Sequence, residues 1–157
     1  MIRVLVVDDS PSFVSFIQEV LNNEEDIQVV GVAKHGMQAV SLAKKLNPDV
    51  ILMDLVMPNM DGIEAIARIS TEQPEVKILA LPSFDTDDKI FPAMKAGALG
   101  YLLKDSDPEE LIQAIRQVHL GQPSLNPSIA LRLIHELNHP GDRELTPDPL
   151  TQREDEV

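Results

Sequence analysis

The sequence predicts an α/β fold, an open, doubly wound, five-stranded parallel sheet. Two observations carry that expectation. Five short aliphatic runs, at residues 3–7, 27–32, 50–53, 76–81 and 99–103, are rich in Val, Ile and Leu. Near-continuous apolar runs of that length suit strands covered on both faces, as in parallel sheets. Between the runs lie stretches with helical spacing, and regular strand–helix alternation gives a parallel, doubly wound sheet. Aromatic residues make up only 3% of the chain, so the core must be aliphatic.

The helices follow in order. Phe13, Phe16, Ile17, Val20 and Leu21 have the i, i+3, i+4, i+7, i+8 spacing of one buried face. Met37, Val40, Ala43 and Leu46 repeat it in a second stretch, and Ile63, Ile66, Ala67 and Ile69 in a third. Ile90, Phe91 and Met94 mark a fourth, where Pro92 predicts a short or kinked element. The fifth has an N-cap at Asp107, Pro108 at its first position and Glu110 at capping-box spacing. Its apolar face is Leu111, Ile112, Ile115 and Val118, and Gly121 stops it.

Composition narrows the function. The 157 residues suffice for one compact domain and an appendage. A net charge of -13 argues against this chain gripping nucleic acid by itself, because phosphate contacts need clustered Lys and Arg. No apolar run approaches the roughly 20 residues of a membrane span, and the N-terminus reads as a strand rather than a signal peptide. The absence of cysteine removes disulfides and thiolate metal sites, and fits a cytoplasmic location.

In open parallel sheets the ligand site lies beyond the carboxyl ends of the strands. Asp8, Asp9, Asp54, Pro82, Ser83 and Lys104 all fall at or just past a predicted strand end. Each has an ordinary explanation when taken alone. Asp9 or Ser10 can cap the first helix, Asp54 can be a loop residue, and Lys104 a snorkelling surface lysine. Together, three converging carboxylates repel one another unless a cation or proton neutralises them. Oxygen ligands of this kind suit Mg²⁺. A lysine in the same crevice can reach a phosphoryl oxygen, so the set suits transfer of a phosphoryl group to a carboxylate.

The segments VLVVDDS, DVILMDLVMPNMDGIEA and KAGALGYLLKD resemble the three diagnostic stretches of response-regulator (CheY-like) receiver domains, over residues 2 to 120. That resemblance implies Asp54 as phosphoacceptor, and Asp8 and Asp9 as the acidic pair of a Mg²⁺ site that Asp54 and the backbone carbonyl of Val56 complete. It implies Lys104 as the phosphoryl-contacting lysine and Tyr101 as the aromatic that follows activation. Met57-Pro58 and Asp61-Gly62 also fit, with Pro58 stiffening the loop and Gly62 turning it into the third helix. The implied partner is a sensor histidine kinase, and the domain is no enzyme beyond self-catalysed phosphotransfer and dephosphorylation.

One residue departs from the family. Receivers usually place Thr or Ser at the end of the fourth strand, and here Pro82 stands there, without hydroxyl or N–H. Ser83 follows with both, but one position along a strand points the other way. Either Pro82 weakens coupling between phosphate uptake and Tyr101, or the domain acts as a phosphorylation-independent docking module. A third reading, a phosphohydrolase of the haloacid-dehalogenase type, is disfavoured because Asp8 and Asp9 are adjacent rather than Asp-x-Asp and there is no cap insertion.

The expected organisation is a receiver at 1–121, a short linker helix at 122–138, a flexible linker at 139–149, and the start of a further domain at 150–157. Asn126 and Pro127 can open the linker helix, with Ile129, Ala130, Leu133, Ile134 and Leu137 as its face. Thr151 and Glu154 have capping-box spacing. LTQREDEV is similar to the opening of the helix-turn-helix domain of LuxR/NarL-type regulators. That likeness implies DNA binding through a domain cut away here, and a homodimer in the full protein. The four histidines are too scattered for a metal site, and His35 is expected in an exposed loop without a role.

Overall fold

The computed structural model describes residues 1–55, 62–82, 90–125, 130–131 and 134–135. Strands and helices alternate as the sequence predicts. They are β1 (Ile2–Val7), α1 (Pro11–Asn22), β2 (Ile27–Ala33), α2 (Gly36–Leu46), β3 (Val50–Met53), α3 (Gly62–Glu72), β4 (Lys77–Ala80), α4 (Ile90–Ala96), β5 (Gly100–Tyr101), α5 (Pro108–His119) and β6 (Ser124–Leu125). All pairings are parallel and the order is β2-β1-β3-β4-β5-β6.

Alternation explains why the strands are apolar throughout. Val4, Val6, Val50, Leu52, Leu79 and Leu81 cluster with Ile17 and Leu21 of α1 and Leu111, Ile115 and Val118 of α5. Their sequence neighbours Leu5, Val7, Ile51, Met53, Ile78 and Ala80 are buried too, on the opposite face by the two-residue period of a strand. The polar residues of β1, β2 and β4, Arg3, Gln28 and Lys77, sit near the strand starts.

The sheet has six strands among the described residues, one more than the aliphatic runs predict. β6 is two residues long and leaves no periodic signal. It pairs Ser124 with Gly100 and Leu125 with Tyr101, after Gly121 turns the chain at a φ of 84°. One compact unit accordingly runs Met1–Leu125, past the Gly121 boundary expected from sequence. In the second unit, Asn126–Val157, residues 130–131 and 134–135 are helical. The expected cap at Asn126-Pro127 and the LTQREDEV segment lie outside the described residues.

Two helices are rotated slightly from the expected faces. In α1 the buried centre is Ile17 and Leu21, which leaves Phe16 on the flank at 41% exposure. In α2 Gly36, Ala39, Val40 and Ala43 are buried, while Met37 is 59% exposed. Small residues let α2 approach the sheet closely, so the stripe follows them instead of the larger methionine. α4 has seven residues, as Pro92 implied, and the proline sits in the first turn, where no intrahelical N–H is needed. His35 caps α2, its Nδ1 accepting from the Gln38 N–H at 3.2 Å. Among the described residues no helix is long and apolar enough to cross a membrane.

Leu52 is fully buried at the centre of this core. Leu52→Ala is expected to cost about 2–5 kcal/mol, seen in urea unfolding as a lower midpoint with an unchanged slope.

Candidate functional site

The functional side chains are placed by strand pairing. In β1 and β3 Val6 pairs with Leu52 and Val7 with Met53, and the ladder continues one step further. The Asp54 N–H donates to Val7 O at 3.0 Å, and the Asp8 N–H to Ala33 O at 2.9 Å. The carboxylates that follow these two strands therefore emerge side by side at the sheet's carboxyl edge. Because the chain leaves β1 toward β2 on one side while β3 lies on the other, this is the switch point of the doubly wound sheet.

Asp8, Asp9 and Asp54 each present a carboxylate oxygen within 4.8 Å of the others. Asp8 is 2% exposed and Asp54 4%, whereas Asp9 is exposed. Asp8 is fixed by the Ser10 N–H, which donates to its Oδ1 at 2.9 Å. Ser10 itself caps α1, its Oγ accepting from the Phe13 N–H at 3.4 Å. The serine thus serves the helix while its backbone serves the acid.

Lys104 supplies the positive charge. Its Nζ donates to Asp8 Oδ2 at 2.7 Å and lies 3.5 Å from Asp54 Oδ2. Burial pulls the Lys104 ammonium toward deprotonation, but the hydrogen bond to Asp8 and the charges of Asp54 and Asp8 outweigh it. Its pKa therefore lies above the ordinary lysine value. Among the described residues, one cation beside three carboxylates leaves a local excess of negative charge, and the all-oxygen donor set suits a hard divalent ion.

Two neighbours do more than the sequence reading assigns them. Gly62 reads as a turn residue, but its importance is closeness. A Cβ there would lie 2.2 Å from Asp54 O and 2.6 Å from Leu55 Cα, while the Gly62 N–H donates to Leu55 O at 3.0 Å. The start of α3 is pressed against the backbone that carries Asp54. Phe13 reads as core, and it does pack against the core cluster, yet its ring centroid lies 4.8 Å from Lys104 Nζ. Nothing in the spacing of α1 announces that second contact.

Pro82 is buried just past the end of β4, where its carbonyl accepts from the Lys104 N–H at 3.0 Å. Leu102 donates likewise to Ala80 O at 2.9 Å. In that register the N–H that Pro82 lacks is the one that would point at the Leu102 carbonyl. Tyr101 is fully buried, in register with Ala80 on one side and Leu125 on the other. Val56 and Ser83 lie outside the described residues.

The response regulator receiver domain family matches residues 4–116. The chain belongs to that family. It is 45% identical to the transcriptional regulatory protein LiaR of Bacillus subtilis (strain 168) over 157 residues, which is 100% of this chain and 74% of LiaR. Among solved structures it resembles a LuxR-family two-component response regulator from Aurantimonas sp. SI85-9A1. The TM-score is 0.81 and the identity 31%, over 88% of this chain and 99% of that one. It also resembles the isolated receiver of RcsB from Salmonella enterica serovar Typhimurium, determined in the presence of phosphomimetic BeF3-. There the TM-score is 0.75 and the identity 26%, over 84% of this chain and 97% of that one. The receiver therefore has the fold and the LuxR-type kinship that its motifs imply.

The excess of carboxylate predicts a response to divalent ions. Millimolar Mg²⁺ should raise the melting temperature of the receiver, since a ligand bound only by the folded state stabilises it. Asp9→Ala should lose most of that rise while melting at or above the wild-type temperature without the ion. Differential scanning fluorimetry with and without Mg²⁺ checks both.

Proposed function

We propose that the receiver takes a phosphoryl group onto Asp54 from a sensor histidine kinase and thereby controls transcription. The observation that carries this reading is the position of the Asp54 carboxylate. It is nearly buried, beside Asp8 and Asp9, with the Lys104 ammonium 3.5 Å from its Oδ2. The presence of a phosphomimetic in the RcsB receiver structure supports it.

In the transfer an Asp54 carboxylate oxygen attacks phosphorus as the bond to the kinase's phosphohistidine nitrogen breaks. The imidazole leaves and the acyl phosphate forms. Lys104 holds positive charge where negative charge gathers on the phosphoryl oxygens. Asp8 and Asp9, with Asp54 and the backbone carbonyl of Val56, would hold Mg²⁺. When bound, that ion supplies further positive charge to the phosphoryl oxygens. The chain's own part is therefore orientation and charge, with at most self-catalysed phosphotransfer and dephosphorylation.

Pro82 sets this receiver apart downstream of the chemistry. With no hydroxyl or N–H at the end of β4, the phosphoryl group lacks the usual Thr or Ser partner there, and Ser83 is the remaining candidate contact. Losing one charge-assisted hydrogen bond is worth about 1.5–3 kcal/mol. That is enough to reshape a switch whose states differ by a few kcal/mol without abolishing transfer. Tyr101 would report the change of state at the α4–β5 side. Output would pass through a LuxR-type DNA-binding domain beginning at 150–157, joined by a linker that starts after β6, and through a homodimer, in the cytoplasm. Pro82 also favours a second reading, a docking module indifferent to phosphorylation.

Intact mass after incubation with acetyl phosphate and Mg²⁺ separates the two. The expected result is a gain of about 80 Da, one phosphoryl group, that requires Mg²⁺ and is absent from Asp54→Asn. An unmodified mass, together with partner affinity unchanged in Asp54→Asn, would leave the docking module.

A further inference from the structure

Lys104 must bring a flexible four-carbon stem to one defined place, and an unrestrained lysine has many rotamers. Its two carboxylate contacts, Asp8 Oδ2 at 2.7 Å and Asp54 Oδ2 at 3.5 Å, lie on groups that would exchange partners during phosphoryl transfer. A third contact involves no exchanging group. The ammonium lies 4.8 Å from the centroid of the Phe13 ring, within the range where the negative face of an aromatic ring attracts a cation.

The ring is itself held. Phe13 lies in the first turn of α1, its N–H taken by the Ser10 cap, and its side chain packs against the core. Phe16 lies beside it, with centroids 6.3 Å apart and planes tilted by 38°. The ring and Lys104 line a small crevice together with Phe16, Ile17, Leu81 and Leu111. The lysine therefore lies beside a mostly aromatic and aliphatic surface, with its head in reach of both acids.

We propose that Phe13 is a positioning residue for phosphoryl transfer, its ring face holding the Lys104 ammonium between Asp8 and Asp54. This rests on Asp54 being the phosphoacceptor. The connection from β1 to α1 then supplies both the acidic pair and the surface that aims the opposing charge. Leucine at this position would fill much the same space but offer no electron-rich face.

The test compares Phe13→Leu, Phe13→Trp and Lys104→Met, each singly, and Phe13→Leu combined with Lys104→Met. The first readout is the rate of Asp54 phosphorylation by acetyl phosphate at saturating Mg²⁺, over a range of donor concentrations. Phe13→Leu should slow the saturated rate roughly fivefold with the half-saturating donor concentration unchanged, and Phe13→Trp should restore it. In the Lys104→Met background Phe13→Leu should have no further effect, because the ring then has no cation to aim. A Phe13→Leu rate equal to wild type, or an equal slowing with and without Lys104, overturns the proposal and leaves the phosphoacceptor reading intact.

The second readout is NMR of the Lys104 ε-methylene. In the wild type it should be ordered and shifted upfield by the ring, and Phe13→Leu should remove both effects. If acetyl phosphate leaves the wild type unmodified and partner affinity is unchanged in Asp54→Asn, the phosphoacceptor reading falls. Loss of order in Phe13→Leu then still supports the positioning of Lys104, and unchanged order overturns that as well.

Discussion

The carboxyl edge of the sheet depends on the pairing of β1 with β3. Parallel pairing in the register Val6 to Leu52 and Val7 to Met53 brings the next residues, Asp8 and Asp54, out together. Carboxylates that would avoid each other in a free chain are thus held close by a ladder buried on both faces. The energy that confines them comes from the aliphatic core, and the excess negative charge is what makes the edge receptive to cations. Among the described residues Lys104 is the cation that the fold delivers to these acids, and its backbone is tied to the neighbouring strand through the Pro82 carbonyl.

Much of this was legible in the sequence because the signals were redundant. Five strands showed as aliphatic runs, and four site residues stood at their ends. The fifth helix carried a cap, a proline and an apolar stripe that agreed with one another. Each could be read locally, and the parallel topology did the rest. The unreadable parts have a common origin in contacts between residues far apart in the chain. β6 is too short to have a period, and it pairs only because α5 returns the chain to the edge of β5. Met37 and Phe16 fit a helical spacing, yet the exact rotation of each helix is decided by which side chains let it approach the sheet.

The same distinction holds at the site. Asp8, Asp9, Asp54 and Lys104 were recognisable by residue type, since few other reasons gather acids and a lysine at strand ends. Phe13 was hidden because one phenylalanine served two purposes, and the structural purpose accounted for it fully. His35 was hidden because an imidazole acting as a helix cap is uncommon, and only the Gln38 amide reveals it. Gly62 was noticed as the residue that turns the chain into the third helix, and α3 does begin there. The decisive fact is the backbone that its missing methyl lets in.

The seven residues of α4 have a consequence for how the domain breathes. A helix that short closes few internal bonds. Opening it costs correspondingly little beside the central strands β1 and β3, which are covered on both faces. Its amides should therefore exchange with solvent deuterium through local openings, while those of the central strands wait for global unfolding. The cooperative unit is then graded, firm where the acids are held and yielding beside Tyr101. A domain graded in this way can change one flank without melting the frame that carries its charges.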